Sequence, residues 1–196
     1  MVNLTRDCNW FVLSEEQVIT DFDCGNTDLN EFFNHDALQY RRQLLSETYF
    51  YRLKSSDAVV CAFSFSASAI KTADLPGSRR KKVKELVPRE KSLKSYPAML
   101  IGRLGVSTEF SGQGIGSQLI KVIKNLCLVK FSGCVRYLLV DAYNEPAVIG
   151  FYQKNDFMTV FSTEEQEKET YRQSFSEPLQ TRYMFFDIIQ WCNQMS

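Results

Sequence analysis

The chain has 196 residues, of which 44% are hydrophobic and 23% charged, and its 23 basic side chains balance 23 acidic ones. This length and composition fit one globular domain that buries its own core without disulfides or metal. No apolar run reaches the roughly 18–20 residues of a membrane-spanning helix, and the N-terminus lacks the apolar core of a secretory signal. The six cysteines form no Cys-x-x-Cys pair, and the only histidine is His35. We therefore expect a reduced, cytoplasmic protein with no metal site and no membrane contact.

The first third of the chain predicts a strand, a helix and a hairpin. Trp10–Leu13 is a short apolar run, and Thr27 is a candidate helix cap. Apolar residues then recur at three-to-four spacing, which indicates one face of a helix: Leu29, Phe32, Phe33, Ala37, Tyr40 and Leu44. Two runs of β-branched and aromatic residues, Thr48–Leu53 and Val59–Ser66, flank a polar turn and predict an antiparallel hairpin.

Residues 71–97 interrupt this pattern. Prolines at 76, 88 and 97 disfavour regular structure, so we expect a surface insertion with one short helix. Eight basic and two acidic side chains fall between Ser78 and Lys94. Such a patch either attracts an anionic partner or is simply a solvated loop, and the sequence is compatible with both.

The second half predicts alternating strands and helices. The strands are Ala98–Val106, Tyr137–Ala142, Phe157–Phe161 and Arg182–Ile189; the helices run from about Gly114 to Phe131 and from Pro146 to about Asn155. The polar stretch from Thr163 to Pro178 carries no predicted element. The order β-α-β-β-β-α-β-α-β-β predicts a single α/β domain over residues 1–196, with a mixed sheet, helices on both faces and a ligand at the strand ends. Arg182–Ile189 reads as an exposed edge strand that could pair across a homodimer.

The strongest signal for chemistry is a strand followed by a glycine-rich turn and a helix. Glycines let a backbone approach a phosphate closely, and the unpaired N–H groups of a helix N-terminus bind anions. The same glycines also occur where a chain needs only a tight turn. A nucleotide P-loop is excluded because no Lys-Ser/Thr follows Gly116, and a dinucleotide fold is disfavoured because Arg136 stands where an acidic residue is needed.

Two segments resemble the acetyl-CoA-binding motifs of the GCN5-related N-acetyltransferases (GNAT). The first is Leu104-Gly-Val-Ser-Thr-Glu-Phe-Ser-Gly-Gln-Gly-Ile-Gly-Ser-Gln-Leu119, with Ser111 where the family has Arg or Gln. The second is Asn144 followed by Glu-Pro-Ala-Val-Ile-Gly-Phe-Tyr-Gln-Lys-Asn-Asp-Phe157, with Asp156 where the family has glycine. The resemblance implies a mostly antiparallel central sheet, flanked by helices, with a splayed strand pair that binds acyl-CoA.

The resemblance also implies roles for individual residues. The backbone of Leu104, Gly105 and Val106 would face the pantetheine arm, and the turn would bind the pyrophosphate through Gly112, Gln113, Gly114, Ile115, Gly116 and Ser117. Asn144, Ala147 and Phe151 would contact the cofactor, and Tyr152 would be the general acid. That last role fits the chemistry, because attack of a primary amine on a thioester expels a thiolate that a phenol can protonate. Tyr152 could equally be a core aromatic beside Phe151 and Phe157.

A narrower resemblance is to the toxin branch of this family, which acetylates aminoacyl-tRNA and is encoded with a DNA-binding antitoxin. It rests on Asp21–Phe33, Tyr96–Val106 and Arg182–Phe186. Arg103, Arg79 and Arg80 would then lie on the acceptor side and contact tRNA phosphates. The zero net charge and the acidic run Glu164–Glu169 depart from that branch. A protein lysine, a free N-terminus or a small amine remains an alternative acceptor, and a non-catalytic acyl-CoA-binding or protein-interaction domain remains an alternative function.

Overall fold

The structure is a computed structural model that describes residues 1–84 and 93–195. Its strands are β1 (Cys8–Val12), β2 (Glu47–Leu53), β3 (Val59–Lys71), β4 (Ser95–Val106), β5 (Tyr137–Tyr143), β6 (Met158–Thr159) and β7 (Thr181–Asp187). Its helices are α1 (Leu4–Asp7), α2 (Thr27–Glu31), α3 (Ala37–Arg42), α4 (Gly77–Lys84), α5 (Ile115–Val129), α6 (Pro146–Lys154), α7 (Glu164–Tyr171) and α8 (Ile188–Met195). A π-helical turn, Phe32–Asp36, joins α2 to α3.

The strands form one seven-stranded sheet in the order β1-β2-β3-β4-β5-β7-β6. The β1–β2, β2–β3, β5–β7 and β6–β7 pairs are antiparallel, and the β4–β5 pair is parallel. This confirms the predicted mixed, mostly antiparallel sheet flanked by helices. The β4–β5 pairing covers only Ala98–Leu100 and Tyr137–Leu139, although both strands continue further.

The chain forms two units. Unit 1 comprises Met1–Ala67 and Ile101–Asn125, and unit 2 comprises Ser68–Leu100 and Leu126–Ser196. In unit 1, α2, the π-helical turn and α3 bury Phe32, Phe33 and Ala37 in a core with residues of β2 and β3. Each buried phenylalanine contributes about 2 kcal/mol of hydrophobic stabilisation. The predicted apolar stripe therefore identifies the packed face of this helical segment.

Two details of that helical segment differ from the prediction. The cap is Asn26 rather than Thr27, because the Asn26 side chain accepts a hydrogen bond from the Leu29 amide at 3.0 Å. Leu44 is not part of the packed stripe: α3 ends at Arg42, and Leu44 is 92% exposed with a φ of 57°. A short turn after the helix thus redirects the chain before the apolar period is complete.

Unit 2 has its core between β4, β5, β7 and the start of the insertion. Leu75 and Val83 from the insertion pack with Tyr96, Tyr137 and other buried residues of these strands. The Tyr137 hydroxyl donates a hydrogen bond to the Val83 carbonyl at 2.6 Å. The short helix expected in the insertion is α4, and these contacts attach it to the sheet. The later part of the basic segment, residues 85–92, lies outside the described residues.

Three predictions about the C-terminal half are wrong. The strand expected at Phe157–Phe161 is only the two-residue β6. The polar stretch expected to lack an element contains α7, because the Thr163 side chain caps it by accepting a hydrogen bond from the Gln166 amide. The final strand is not an edge, since β7 pairs with β5 on one side and β6 on the other. Within the residues described, no helix is long and apolar enough to cross a bilayer.

Candidate active site

The glycine-rich turn of unit 1 has the backbone conformation that its sequence predicts. Gly112 and Gly114 have φ values of 72° and 75°, in the left-handed region that side chains with a Cβ rarely adopt. Nothing lies within 4 Å of a Cβ built at either position, so conformation rather than space requires glycine there. The helix α5 begins at the next residue, Ile115, and Gly116 and Ser117 lie in its first turn. A helix N-terminus directly after such a turn is suited to an anion.

Hydrogen bonds to two other segments hold the start of this turn. The Ser107 amide donates to the Val60 carbonyl of β3 at 2.9 Å. The Thr108 amide donates to the Asp23 carbonyl at 2.8 Å, and the Thr108 hydroxyl bonds the same carbonyl at 3.3 Å. The turn is therefore fixed relative to β3 and to the 21–26 loop.

Gln113 has a structural partner at the N-terminus of the chain. Its side-chain oxygen accepts a hydrogen bond from the Val2 amide at 3.0 Å. Gln118, one turn into α5, accepts from the Leu4 amide at 3.0 Å and donates to the Val2 carbonyl at 3.1 Å. The first residues of the chain thus pack against the turn, a contact that no sequence pattern indicated.

The end of β4 packs closely against the 21–26 loop. A Cβ at Gly105 would lie 3.1 Å from a ring carbon of Phe22 and 3.3 Å from the Cys24 Cβ, so a larger residue would collide with this loop. Arg103 places its guanidinium 4.6 Å from the centre of the Phe32 ring, in a cation–π contact. Both contacts brace β4 beside Leu104 and Val106.

In unit 2, Tyr152 lies on α6, which begins with Pro146 at its first position. Its ring makes edge-to-face contacts with Phe151 at 5.0 Å and Phe157 at 5.4 Å between centroids. Tyr152 is 6% exposed, and burial raises the pKa of its phenol well above the ordinary value. The hydroxyl has no hydrogen-bond partner among the described residues. Packing against the two phenylalanines therefore orients the ring, and the hydroxyl proton is not engaged in a hydrogen bond to any described residue.

Asp156 explains how the second motif tolerates the loss of its usual glycine. Asp156 has a φ of 68°, the left-handed conformation that follows the end of α6. Aspartate and asparagine adopt this region more readily than other non-glycine residues. The departure from the family pattern thus changes the residue but keeps the backbone path into Phe157.

Asn144 sits at the end of β5, and its amide group is bonded to two other segments. Its Nδ2 donates to the Glu164 carboxylate at 3.0 Å and to the Leu179 carbonyl at 2.9 Å. Glu164 in turn accepts from the Leu179 amide at 2.6 Å and pairs with Lys168 at 3.0 Å. These partners lower the pKa of Glu164 to about 2, the hydrogen bond from the Leu179 amide being the largest cause. Asn144 therefore ties the end of β5 to α7 and to the segment before β7.

Sequence reasoning missed Glu164, although the signal was present. Thr163 and Gln166 have the Ser/Thr-x-x-Glu/Gln spacing of a helix N-terminus, which places Glu164 in the first turn of α7. What the pattern does not reveal is that the carboxylate reaches Leu179. The remaining predicted cofactor contacts of this unit lie on α6, where Ala147 is exposed and Phe151 half-buried.

Two of the four glutamates in the acidic run Glu164–Glu169 are bonded within the protein. Glu167 is 4% exposed and accepts hydrogen bonds from Arg182 Nε and the Tyr183 amide, both at 2.7 Å. Glu164 is bonded as described above. Two of the carboxylates expected to repel RNA therefore serve as internal anchors of α7.

The basic residues predicted on the acceptor side differ in exposure. Arg80 is exposed and donates a hydrogen bond to the Leu75 carbonyl at 3.1 Å, Lys81 is exposed, and Arg79 is half-buried. His35 is also exposed. Across the part of the chain that the structure describes, no group of three or more His, Cys, Asp or Glu side chains is placed to hold a metal.

Comparison with known proteins agrees with this arrangement. Residues 85–159, which contain both motifs, match the family model of the acetyltransferase (GNAT) domain. This part of the chain is therefore similar to the GNAT acetyltransferase domain.

Among solved structures, the chain is similar over nearly its full length to toxins of this fold. AtaT in complex with acetyl-methionyl-tRNAfMet is 21% identical, with a TM-score of 0.70, and the match covers 97% of this chain and 100% of AtaT. AtaTR bound with acetyl-CoA is 20% identical at a TM-score of 0.67, covering 97% and 99%. The KacTA–DNA complex is 16% identical at a TM-score of 0.61, covering 95% and 99%. At these identities the likeness establishes the fold that the toxins share with this chain.

Proposed function

We propose that this protein transfers the acetyl group of acetyl-CoA to the α-amino group of an aminoacyl-tRNA and so acts as a toxin that blocks translation. The observation that carries this proposal is the near full-length structural match to AtaT bound to acetyl-methionyl-tRNA. In that structure the protein is bound to an acetylated aminoacyl-tRNA, which is the product that the proposed reaction would form. The similarity to the AtaT toxin bound to the C-terminus of the antitoxin AtaR and to the KacTA–DNA complex further supports a DNA-binding antitoxin as a partner.

The donor site uses groups whose geometry suits acetyl-CoA. The turn at Gly112 and Gly114 and the first turn of α5 supply backbone N–H groups for the pyrophosphate. The backbone of β4 near Val106 supplies groups for the pantetheine arm and for the oxyanion of the tetrahedral intermediate. Because backbone amides make these contacts, Ser111 in place of Arg or Gln costs only one side-chain interaction.

The transfer is a direct displacement. The amine nitrogen attacks the thioester carbon, a C–N bond forms, and collapse of the tetrahedral intermediate breaks the C–S bond. Tyr152 donates its phenolic proton to the departing thiolate, and the amine proton passes to solvent. Burial raises the pKa of the phenol, which keeps it protonated before the reaction but makes it a weaker acid than an exposed tyrosine. Solvent returns a proton to the phenolate after each turnover.

The acceptor side combines exposed cations with an acidic run in which two of the four glutamates are bonded internally. Arg80 and Lys81 present positive charge on α4. Contacts of this kind to phosphates are sequence-independent and weaken steeply with salt. Because Glu164 and Glu167 are bonded inside unit 2, α7 repels a polyanion less than its composition indicates.

The test is transfer of labelled acetyl from acetyl-CoA to a pool of charged tRNA, with free amines and a lysine-peptide mixture assayed alongside. Label on charged tRNA that is lost on deacylation supports the proposal. Label on amines or peptides alone retains the acetyltransferase and refutes the toxin. Acetyl-CoA binding without transfer to any acceptor would favour a non-catalytic domain.

A variant pair tests the role of α4. Changing Arg80 and Lys81 to Ala should raise the KM for charged tRNA at low salt and reduce its salt dependence. A matched variant with Arg41 and Arg42 changed to Ala removes two charges from the end of α3 and serves as the control. Equal kinetics for the two variants would remove α4 from the acceptor site.

A further inference from the structure

A cavity of about 640 Å³ opens in unit 2 beside β5 and β7. Its wall is formed by the ends of these strands, by α7 and by the segment 173–180. Its volume lies within the range of pockets that take small organic groups. Its lining residues include Leu100, Asp141, Glu177, Leu179, Tyr171 and Tyr183.

The charged groups that line the cavity are all acidic. Glu167 is already paired with Arg182, which leaves Asp141 and Glu177 as the carboxylates without an ion-pair partner among the described residues. Asp141 is exposed at the cavity, and partial desolvation raises the pKa of its carboxylate. Neither lysine nor arginine is among the described residues that line the cavity. The cavity therefore favours a neutral or cationic group and disfavours an anion.

The remaining wall mixes polar side chains with a few apolar ones. Leu100 and the two tyrosines give it aliphatic and aromatic surface, and Asp141 is the β5 partner of Tyr183. Leu179 is fixed through both its amide and its carbonyl, by Glu164 and Asn144. A mixed wall that carries carboxylates suits a small amine-bearing organic group rather than a phosphate.

Two tyrosines of the cavity also border a region that carries a basic side chain. Tyr171 and Tyr183 also line a second, smaller cavity of about 140 Å³, whose other lining residues include Lys71 and Leu75. Leu75 lies just before the basic helix α4. A ligand with a neutral or cationic end and a polyanionic body matches this arrangement.

We propose that the larger cavity receives the aminoacyl group of the charged tRNA, and that Asp141 and Glu177 select against acidic side chains. The selection rests on the proposed function: the protein accepts neutral and cationic aminoacyl groups and rejects glutamyl and aspartyl groups. The phosphates of the tRNA stay outside this cavity, because like charges would face each other within it.

The experiment uses one tRNA body charged by an aminoacylating ribozyme with lysyl, methionyl or glutamyl groups. Initial rates at saturating acetyl-CoA give kcat/KM for each. We expect the glutamyl form to be poorer than the lysyl form by about tenfold or more, the scale set by one like-charge contact at partial screening. In the double variant Asp141→Asn, Glu177→Gln this ratio should fall to about twofold.

Within each protein the methionyl form is the internal reference, so a general loss of activity does not obscure the ratio. Glu169→Gln, which removes an exposed carboxylate of α7 that does not line the cavity, should keep the wild-type ratio. Equal use of lysyl and glutamyl groups by the wild type, or an unchanged ratio in the double variant, overturns the proposal.

If the wild type acetylates no charged tRNA, the proposed function is wrong, and a binding experiment then tests the charge selection of the cavity by itself. Calorimetric titration then compares lysinamide with the α-amide of glutamic acid. Tighter binding of lysinamide that disappears in the double variant keeps the charge selection. Equal affinities for the two amides refute it.

Discussion

Replacing Tyr152 with phenylalanine removes one oxygen and tests the chemistry without disturbing the packing. The ring contacts with Phe151 and Phe157 at 5.0 and 5.4 Å do not involve the hydroxyl. Since no described residue hydrogen-bonds to that hydroxyl, the free energy of unfolding should change by less than about 1 kcal/mol. Tyr152→Ala, by contrast, empties a buried site and should cost about 3 kcal/mol.

The rate should respond very differently from the stability. A positioned general acid contributes about 10²–10⁴-fold, or roughly 3–5 kcal/mol of transition-state stabilisation. Tyr152→Phe should therefore lower kcat by at least about a hundredfold. Its KM for acetyl-CoA should stay near the wild-type value, because the proposed pyrophosphate contacts lie on another segment. The raised pKa of the phenol further predicts that wild-type activity does not fall near pH 10, where an ordinary tyrosine ionises.

Release of the CoA thiol, followed with a chromogenic disulfide, measures kcat and KM, and urea unfolding measures stability. A kcat within about threefold of wild type, with stability intact, would show that the phenol is not the acid. A loss of activity accompanied by a loss of several kcal/mol on unfolding would instead identify Tyr152 as a packing residue.

Three further outcomes follow from the packing. Glu167→Gln leaves Arg182 buried without its ion partner, so it should lower the unfolding free energy by about 3 kcal/mol in urea; a change below about 1 kcal/mol would contradict this. The pKa of Glu164 is about 2, below its ordinary 4.5. Its contribution to stability is therefore complete above about pH 4.5 and is lost as the pH falls toward 2. The melting temperatures of the wild type and of Glu164→Gln should converge over that range. Gly105→Ala should cost about 1–2 kcal/mol through contact with the 21–26 loop, whereas Gly150→Ala, with open space at its Cβ, should be neutral or stabilising by up to about 1 kcal/mol in the α6 helix.

Local pattern was enough to locate the glycine-rich turn, the helix that follows it and the strand before it. Gly112 and Gly114 have the positive φ that their place in the turn implies, because backbone conformation at such positions depends on the residue itself. The apolar runs at Ala98–Val106 and Tyr137–Ala142 likewise became β4 and β5. The glycine-rich turn and these two strands were therefore predictable from short-range information.

Other features depended on which distant segments meet. The Glu164 carboxylate contacts Leu179, fifteen residues away, and Asn144 joins them from the end of β5. Whether β7 was an edge was decided by β6, a strand of two residues that no periodicity can reveal.

The cavity beside Asp141 is a further case, since an aspartate inside an apolar run carries no sequence mark of its surroundings. Composition and the spacing of apolar residues indicate the backbone preference of each element and which of its faces is buried. The partners of a buried polar group, and the charge that lines a cavity, arise only when the tertiary fold brings separate segments together. Desolvation and pairing energies act on those final neighbours, and for that reason the lining of this cavity could be described only from the structure.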